Sequence, residues 1–217
     1  MPKHSLLTGI FSAVIFMALH LSLTAQNVED LFVRTGPEVV WLGVDFTQVK
    51  LYGDHGTVGQ DEFIPLFHAI NRLIITERDK YNFADAFRRD DIPFNIEMVT
   101  KLNSEIDPGS LISLSSTGEK RKLDEDAISV LIKQYNVPDS EGIGLIFFME
   151  SIDKATERGT MWVTIFRLAD RNLLFTEKLS GTAGGFGFRN HWARTVYEVI
   201  NQISDERFAR WRSRHVK

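Results

Sequence analysis

The chain has 217 residues, 43% of them hydrophobic and including 16 Phe and 4 Trp, which is enough apolar mass for one cored domain and excludes global disorder. Its formal charge of −4 lacks the basic excess that phosphate backbones attract, so no nucleic-acid partner is expected. Cysteine is absent, which excludes disulfides, thiolate metal sites, a catalytic thiol and a lipid-modified N-terminal cysteine.

Residues 1–25 have the form of a secretory signal peptide. Lys3 and His4 give a short positive start, residues 6–23 are apolar, and Ala25 offers a small residue before a cut at Gln26. The apolar stretch is almost long enough to span a bilayer, so a single anchor is the competing reading; the polar, acidic segment that follows favours cleavage. The expected location is therefore the periplasm or the medium. Residues 26–37 read as a loose polar lead-in closed by Gly36-Pro37, and residues 38–217 as a single α+β domain.

Residues 39–44 form a continuous apolar run, read as a central strand that emerges at Asp45. A loop over 54–59 precedes a helix in which Phe63, Phe67, Ile70 and Ile74 share one stripe, with Pro65 in its first turn and His68 at the core boundary. Asn82 caps a short helix through Phe87. Residues 95–103 alternate at Ile96/Met98 and Val99/Leu102 and are read as a strand, whereas the polar, Ser-rich stretch 111–122 gives no reading. Residues 123–136 form a helix with an acidic start and a stop at Asn136 and Pro138.

The organising stretch runs from 142 to 211. A buried strand (142–150) leads into two hairpin arms (160–168 and 172–180), a glycine-rich turn (181–187) and a closing helix. That helix places Trp192, Val196, Val199, Ile200 and Ile203 on one stripe, which Phe208 and Trp211 extend. The order predicts an α+β fold: a single mixed, largely antiparallel sheet of about five strands with about three main helices packed mainly on one face.

Two places carry candidate chemistry. Gly184, Gly185 and Gly187 before a helix can turn backbone N–H groups toward an anion, with Arg189 and His191 beside them. No Lys-Ser/Thr follows and the spacing is not Gly-x-Gly-x-x-Gly, so the weightier reading is conformational, a tight reversal from strand to helix. Asp45 at a strand exit, with His55 after it, could serve as a base or a metal site, although an Asp there more often caps a turn. Gly-x-Ser-x-Gly and His-Glu-x-x-His are both absent from the sequence. No catalytic residue, metal ligand or cofactor is therefore assigned. The candidate binding residues are Asp45, His55, Gly184, Gly185, Gly187, Arg189 and His191. At the C-terminus Arg207, Arg210 and Arg214 share one helical face and suit an anionic membrane surface or an acidic partner; cations at a helix end are also simply favourable with its dipole.

Residues 44–54 (VDFTQVKLYGD) and 181–200 (GTAGGFGFRNHWARTVYEVI) resemble a family of uncharacterised exported proteins of Bacteroidota-type bacteria. The strand-turn-strand around Phe166 and Phe175 is similar to the TolB amino-terminal-like fold, a two-layer α/β module of cell-envelope proteins. The resemblance implies a secreted or periplasmic single domain and carries over no catalytic residues. The leading expectation is a non-enzymatic envelope module that binds another protein or the cell surface through the glycine turn and the C-terminal helix. The alternative is a small-molecule or anion binder, or a hydrolase, with Asp45, His55, Arg189 and His191 around one cleft.

Overall fold

In the computed structural model the described residues are 27–56, 58–113, 123–137 and 141–216. The expected signal peptide and most of the Ser-rich stretch lie outside them. The apolar run that begins at Ile143 becomes the middle of the sheet. Strand β3 (Ile143–Asp153) is buried at all but one of its residues, because it has neighbours on both sides and side chains packed on both faces. β1 (Val39–Asp45) and β2 (Lys50–Tyr52) pair with it in parallel, one beyond the other along one side. On the other side β4 (Arg158–Arg167) pairs antiparallel along its length, and β5 (Asn172–Thr182) pairs antiparallel with β4. The result is a mixed, mostly antiparallel sheet of five strands with helices packed against it, as the element order predicts.

Alternation along the strands divides the interior in two. Leu145, Phe147 and Met149 of β3 face the larger core with α1 (Phe63–Thr76), α2 (Phe83–Ala86), α5 (Phe188–Gln202) and α6 (Phe208–His215). Ile146 and Phe148 face a smaller core with Ile128 of α4 (Glu125–Leu131) and Val99 of α3 (Glu97–Ser104). Each such fully buried side chain stabilises the fold by about 1.5–3 kcal/mol relative to exposure. Asn82 caps α2 as expected, its side chain accepting from the Asp85 N–H at 2.9 Å.

Three readings of the sequence need correction. Residues 97–104 are helical rather than extended. Val99 and Asn103, four apart, form the inward face of α3, and the Ile96/Met98 alternation is incidental. Strand β1 lies at one end of the sheet rather than in its centre. It is buried throughout because residues 93–95 run along its outer edge: the Trp41 N–H donates to the Pro93 carbonyl and the Asn95 N–H to the Trp41 carbonyl, both at 2.9 Å. Residues 27–37 are docked rather than loose. A 3-10 turn (Val28–Phe32) buries Leu31 completely, and Arg89 donates to the carbonyls of Asp30, Leu31 and Pro37 at 2.6–3.1 Å.

β1 also carries a bulge. Leu42 and Gly43 together stand where the ladder has one place, between the Trp41–Leu145 and Val44–Phe147 pairs. Gly43 sits at φ 107°, and a Cβ there would lie 2.5 Å from Val99 Cγ1, so only glycine fits. Two buried asparagines then hold the displaced backbone. Asn71 of α1 accepts from the Val44 N–H at 2.7 Å and donates to its carbonyl at 2.9 Å, while Asn103 accepts from the Phe46 N–H at 2.8 Å.

At the other end of the sheet α5 lies directly on the backbone of β4 and β5. Built at Gly159, a Cβ would come within 2.7 Å of Thr195 Oγ1; at Gly181 it would come within 2.0 Å of the Thr195 carbonyl oxygen. Beyond α5 a π-helical turn (Ile203–Arg207) leads into α6. Ile203 and Phe208, both buried, are five residues apart, one more than an α-helix places on the same stripe, and the wider turn takes up the extra residue.

Candidate functional site

The glycine turn joins β5 to α5, and backbone hydrogen bonds fix it at both ends. Ala183 N–H donates to the Glu157 carbonyl at 2.8 Å, and Gly184 N–H to the His191 carbonyl at 3.0 Å. Gly185 and Gly187 both adopt positive φ (99° and 76°), a conformation that costs glycine little, and the tight turn they make holds Phe186 between them. Phe186 is 95% exposed.

Across from the turn stands the β3–β4 hairpin. Lys154 Nζ donates to Glu157 Oε1 at 2.7 Å, His191 Nε2 bonds to Glu157 Oε2, and His191 Nδ1 lies 3.3 Å from the Gly185 carbonyl oxygen. The Lys154 hydrogen bond, with His191 adding to it, holds the Glu157 carboxyl below the usual carboxylate range. One carboxylate thus already bridges both basic side chains.

Between these parts lies a cavity of about 330 Å³. The turn supplies Gly185, Phe186 and Gly187; α5 supplies Phe188, His191 and Trp192; the facing wall is His55, Val58 and Lys154. The His55 ring stands 6.0 Å from Phe63, 6.1 Å from Phe188 and 5.9 Å from Trp192, centroid to centroid. Burial among these rings pushes its pKa down, and a hydrogen bond to the Tyr52 backbone only partly opposes that. Its Nε2 is buried and has no hydrogen-bond partner among the described residues.

Four of the seven candidate residues, His55, Gly185, Gly187 and His191, therefore line one cavity. Gly184 shapes the turn, and a Cβ on it would meet only the Arg194 side chain, at 2.8 Å. Arg189 is not among the cavity-lining residues; its Nε donates to Asn190 Oδ1 at 3.0 Å, and its charge acts on Tyr81. Asp45 lies on the opposite face of the sheet, so the expected cleft uniting it with His55, Arg189 and His191 does not form. Its Oδ2 accepts from the Tyr135 hydroxyl at 2.6 Å, its Oδ1 accepts from the Thr47 N–H at 2.6 Å, and burial raises its pKa.

Lys154, Glu157, Phe188 and Trp192 were not singled out from the sequence. Lys154 and Glu157 look like an ordinary charge pair in a turn, and Trp192 falls on the apolar stripe of its helix. A second cavity, of about 350 Å³, adjoins Arg78 and Phe94. It is marginally larger, but its guanidinium already stacks on Phe94 at 4.5 Å and pairs with Asp91 at 3.1 Å. At the C-terminus Arg207 and Arg214 both reach Glu177 of β5, at 3.4 and 3.8 Å, and Phe208 and Trp211 face the core.

Among the described residues no group of three or more His, Cys, Asp or Glu could hold a metal ion, and no helix is long and apolar enough to cross a membrane. No protein-family model and no curated protein matches the chain.

Proposed function

We propose that this chain is a non-enzymatic binding module, working outside the cytoplasm, that contacts another protein through the glycine turn. The observation that carries the reading is Phe186. A phenylalanine held 95% exposed on a turn tied down at both ends is organised for contact, and burying that ring against a partner would contribute about 1.5–3 kcal/mol. The candidate bases are engaged elsewhere: both nitrogens of His191 face acceptors, and Asp45 is sealed in the smaller core. Export is supported by the pattern of residues 1–25, kinship with exported Bacteroidota-type proteins by residues 44–54 and 181–200, and a TolB amino-terminal-like architecture by the strand-turn-strand around Phe166 and Phe175. The C-terminal helix is a weaker contact region than its sequence implies, because two of its arginines pair with Glu177.

The test is crosslinking in native cells of the wild-type chain and Phe186→Ser, followed by mass spectrometry. The substitution replaces an exposed side chain, so stability should change by less than about 0.5 kcal/mol. A stoichiometric envelope protein recovered with the wild type and lost with the variant supports the reading. The same partner recovered with both removes the turn from the contact region.

A further inference from the structure

The ring of His191 joins the glycine turn to the β3–β4 hairpin, and both of its nitrogens face acceptors. Nδ1 lies 3.3 Å from the Gly185 carbonyl oxygen, and Nε2 lies against Glu157 Oε2. A neutral imidazole carries one N–H and satisfies only one of these contacts, whereas the doubly protonated ring donates to both. The Glu157 carboxyl is held below the usual carboxylate range, so it stays an anion through pH 5–8, where imidazoles change charge. Lys154 cannot replace the missing proton. Its Nζ stands 3.5 Å from Nε2, at the limit for a hydrogen bond, and donates to Glu157 Oε1 at 2.7 Å. A ring that loses one proton keeps the one on Nε2, because a bond to a charged carboxylate is roughly twice as strong as one to a neutral carbonyl. The Gly185 contact is the one given up.

The other charges around the ring are engaged or lie across the cavity. On its own helix Arg189 donates to Asn190, and Arg194 pairs with Glu198. On the hairpin Asp153 accepts from the N–H groups of Ala155 and Thr156. From the loop over 54–59 His55 lines the facing wall, and Asp54 accepts from the Gly56 N–H. The Gly185 contact matters because it holds the middle of the turn. Backbone bonds tie Gly184 and Gly187 to His191, but among the described residues no backbone N–H meets the Gly185 carbonyl. With the ring's hold released, a glycine on either side leaves Phe186 free to swing.

We propose that His191 is a proton-operated clamp on this turn: its doubly protonated ring holds Gly185 and presents Phe186 in one ordered position, and loss of one proton releases both. Protons favour the clamped form, so the clamp is present below the ring's titration midpoint and is lost as pH rises through it. The consequence for binding rests on the reading of Phe186 as the contact residue: the partner is held more tightly in mildly acidic surroundings, because an ordered side chain loses less freedom on association.

The test is ¹⁵N NMR of the purified chain between about pH 5 and pH 8. At the acid end both ring nitrogens of His191 should carry protons, and the backbone order parameter of Phe186 should be about 0.85. It should fall below about 0.6 at the alkaline end, with the same midpoint as the His191 ring. Glu157→Gln should keep Phe186 ordered throughout, because a side-chain amide can turn its NH₂ toward a bare Nε2 and leave Nδ1–H for Gly185. His191→Gln should abolish the pH dependence. An order parameter that is constant in the wild type, that follows a different midpoint, or that still falls in either variant would overturn the proposal. Crosslinking should recover more partner at the acid end, and equal recovery at both ends would overturn the regulation of binding. The clamp is read in the chain alone, so a partner retained by Phe186→Ser would remove the contact reading and leave the clamp measurable, and a turn that never loosens would leave the contact reading standing.

Discussion

Asp45 carries a carboxyl into the smaller core, where the Thr47 hydroxyl, the Thr47 N–H and the Tyr135 hydroxyl meet it. Burial outweighs those hydrogen bonds, so its pKa in the folded chain lies above the ordinary value of 3.8. A raised folded pKa means that the folded state holds the proton more tightly than the unfolded state. The stability that this contributes is complete below pH 3.8 and is lost as pH rises through the folded value. Asp45→Asn keeps an acceptor and cannot ionise. Its advantage over the wild type in thermal midpoint should therefore grow between pH 4 and pH 7, and a constant difference over that range would show that the carboxyl is not a buried charge. The same residue shows where sequence reading stops. Val39 and Trp41 face the larger core, and strict alternation would have put Asp45 beside them, on the side of His55. The two-for-one bulge at Leu42 and Gly43 reverses the parity, so Val44 takes the larger core and Asp45 the smaller. His55, His191 and the glycines stood out because their residue types are uncommon at such positions, whereas a turn lysine and a core tryptophan look ordinary until the fold brings them together.

At the scale of elements, the seat of α5 on the sheet decides whether the cavity exists, since Phe188, His191 and Trp192 all come from its first turns. That seat depends on two missing side chains, at Gly159 and Gly181. A Cβ on Gly181 would stand 2.0 Å from a helix carbonyl oxygen, which can yield only if the whole helix lifts. A Cβ on Gly184 would meet the middle of a flexible arginine. Gly181→Ala should therefore cost about 3 kcal/mol in urea unfolding and Gly184→Ala less than about 1 kcal/mol. Equal costs would mean that α5 is not seated as closely as the glycines indicate. The sequence marked α5 and the β3–β4–β5 hairpins clearly, through apolar periodicity and turn residues. It misread α3, because eight residues with two inward side chains leave too little periodicity to separate a helix from a strand.

At the scale of the whole molecule, the mixed, mostly antiparallel character of the sheet was legible, but one strand read from the sequence is α3 and β2 was not separated from β1. The place of β1 was not legible either, because residues 93–95 bury it as thoroughly as a second strand would. The lead-in was missed for a related reason: Val28, Leu31 and Phe32 make only a single turn of apolar spacing in a polar segment, and the group that holds it, Arg89, lies more than fifty residues away. Phe32 packs on Phe208 of α6 with ring centroids 5.3 Å apart. Some twenty residues of nearly continuous helix, roughly 30 Å, separate that contact from the start of α5 at the cavity. The contact of this segment with the helix therefore lies at the end remote from the candidate site. The docking is also structural. Arg89 is 9% exposed and gives its donors to three carbonyls of this segment, so removing the segment strands a buried cation and uncovers the pocket of Leu31. A chain beginning at Glu38 should lose at least about 3 kcal/mol relative to one beginning at Asn27, read by urea unfolding. Arg89→Met in the shorter chain should restore part of that loss by removing the unpaired charge. Equal stability of the two chains would return residues 27–37 to a loose lead-in and release Arg89 from its structural role.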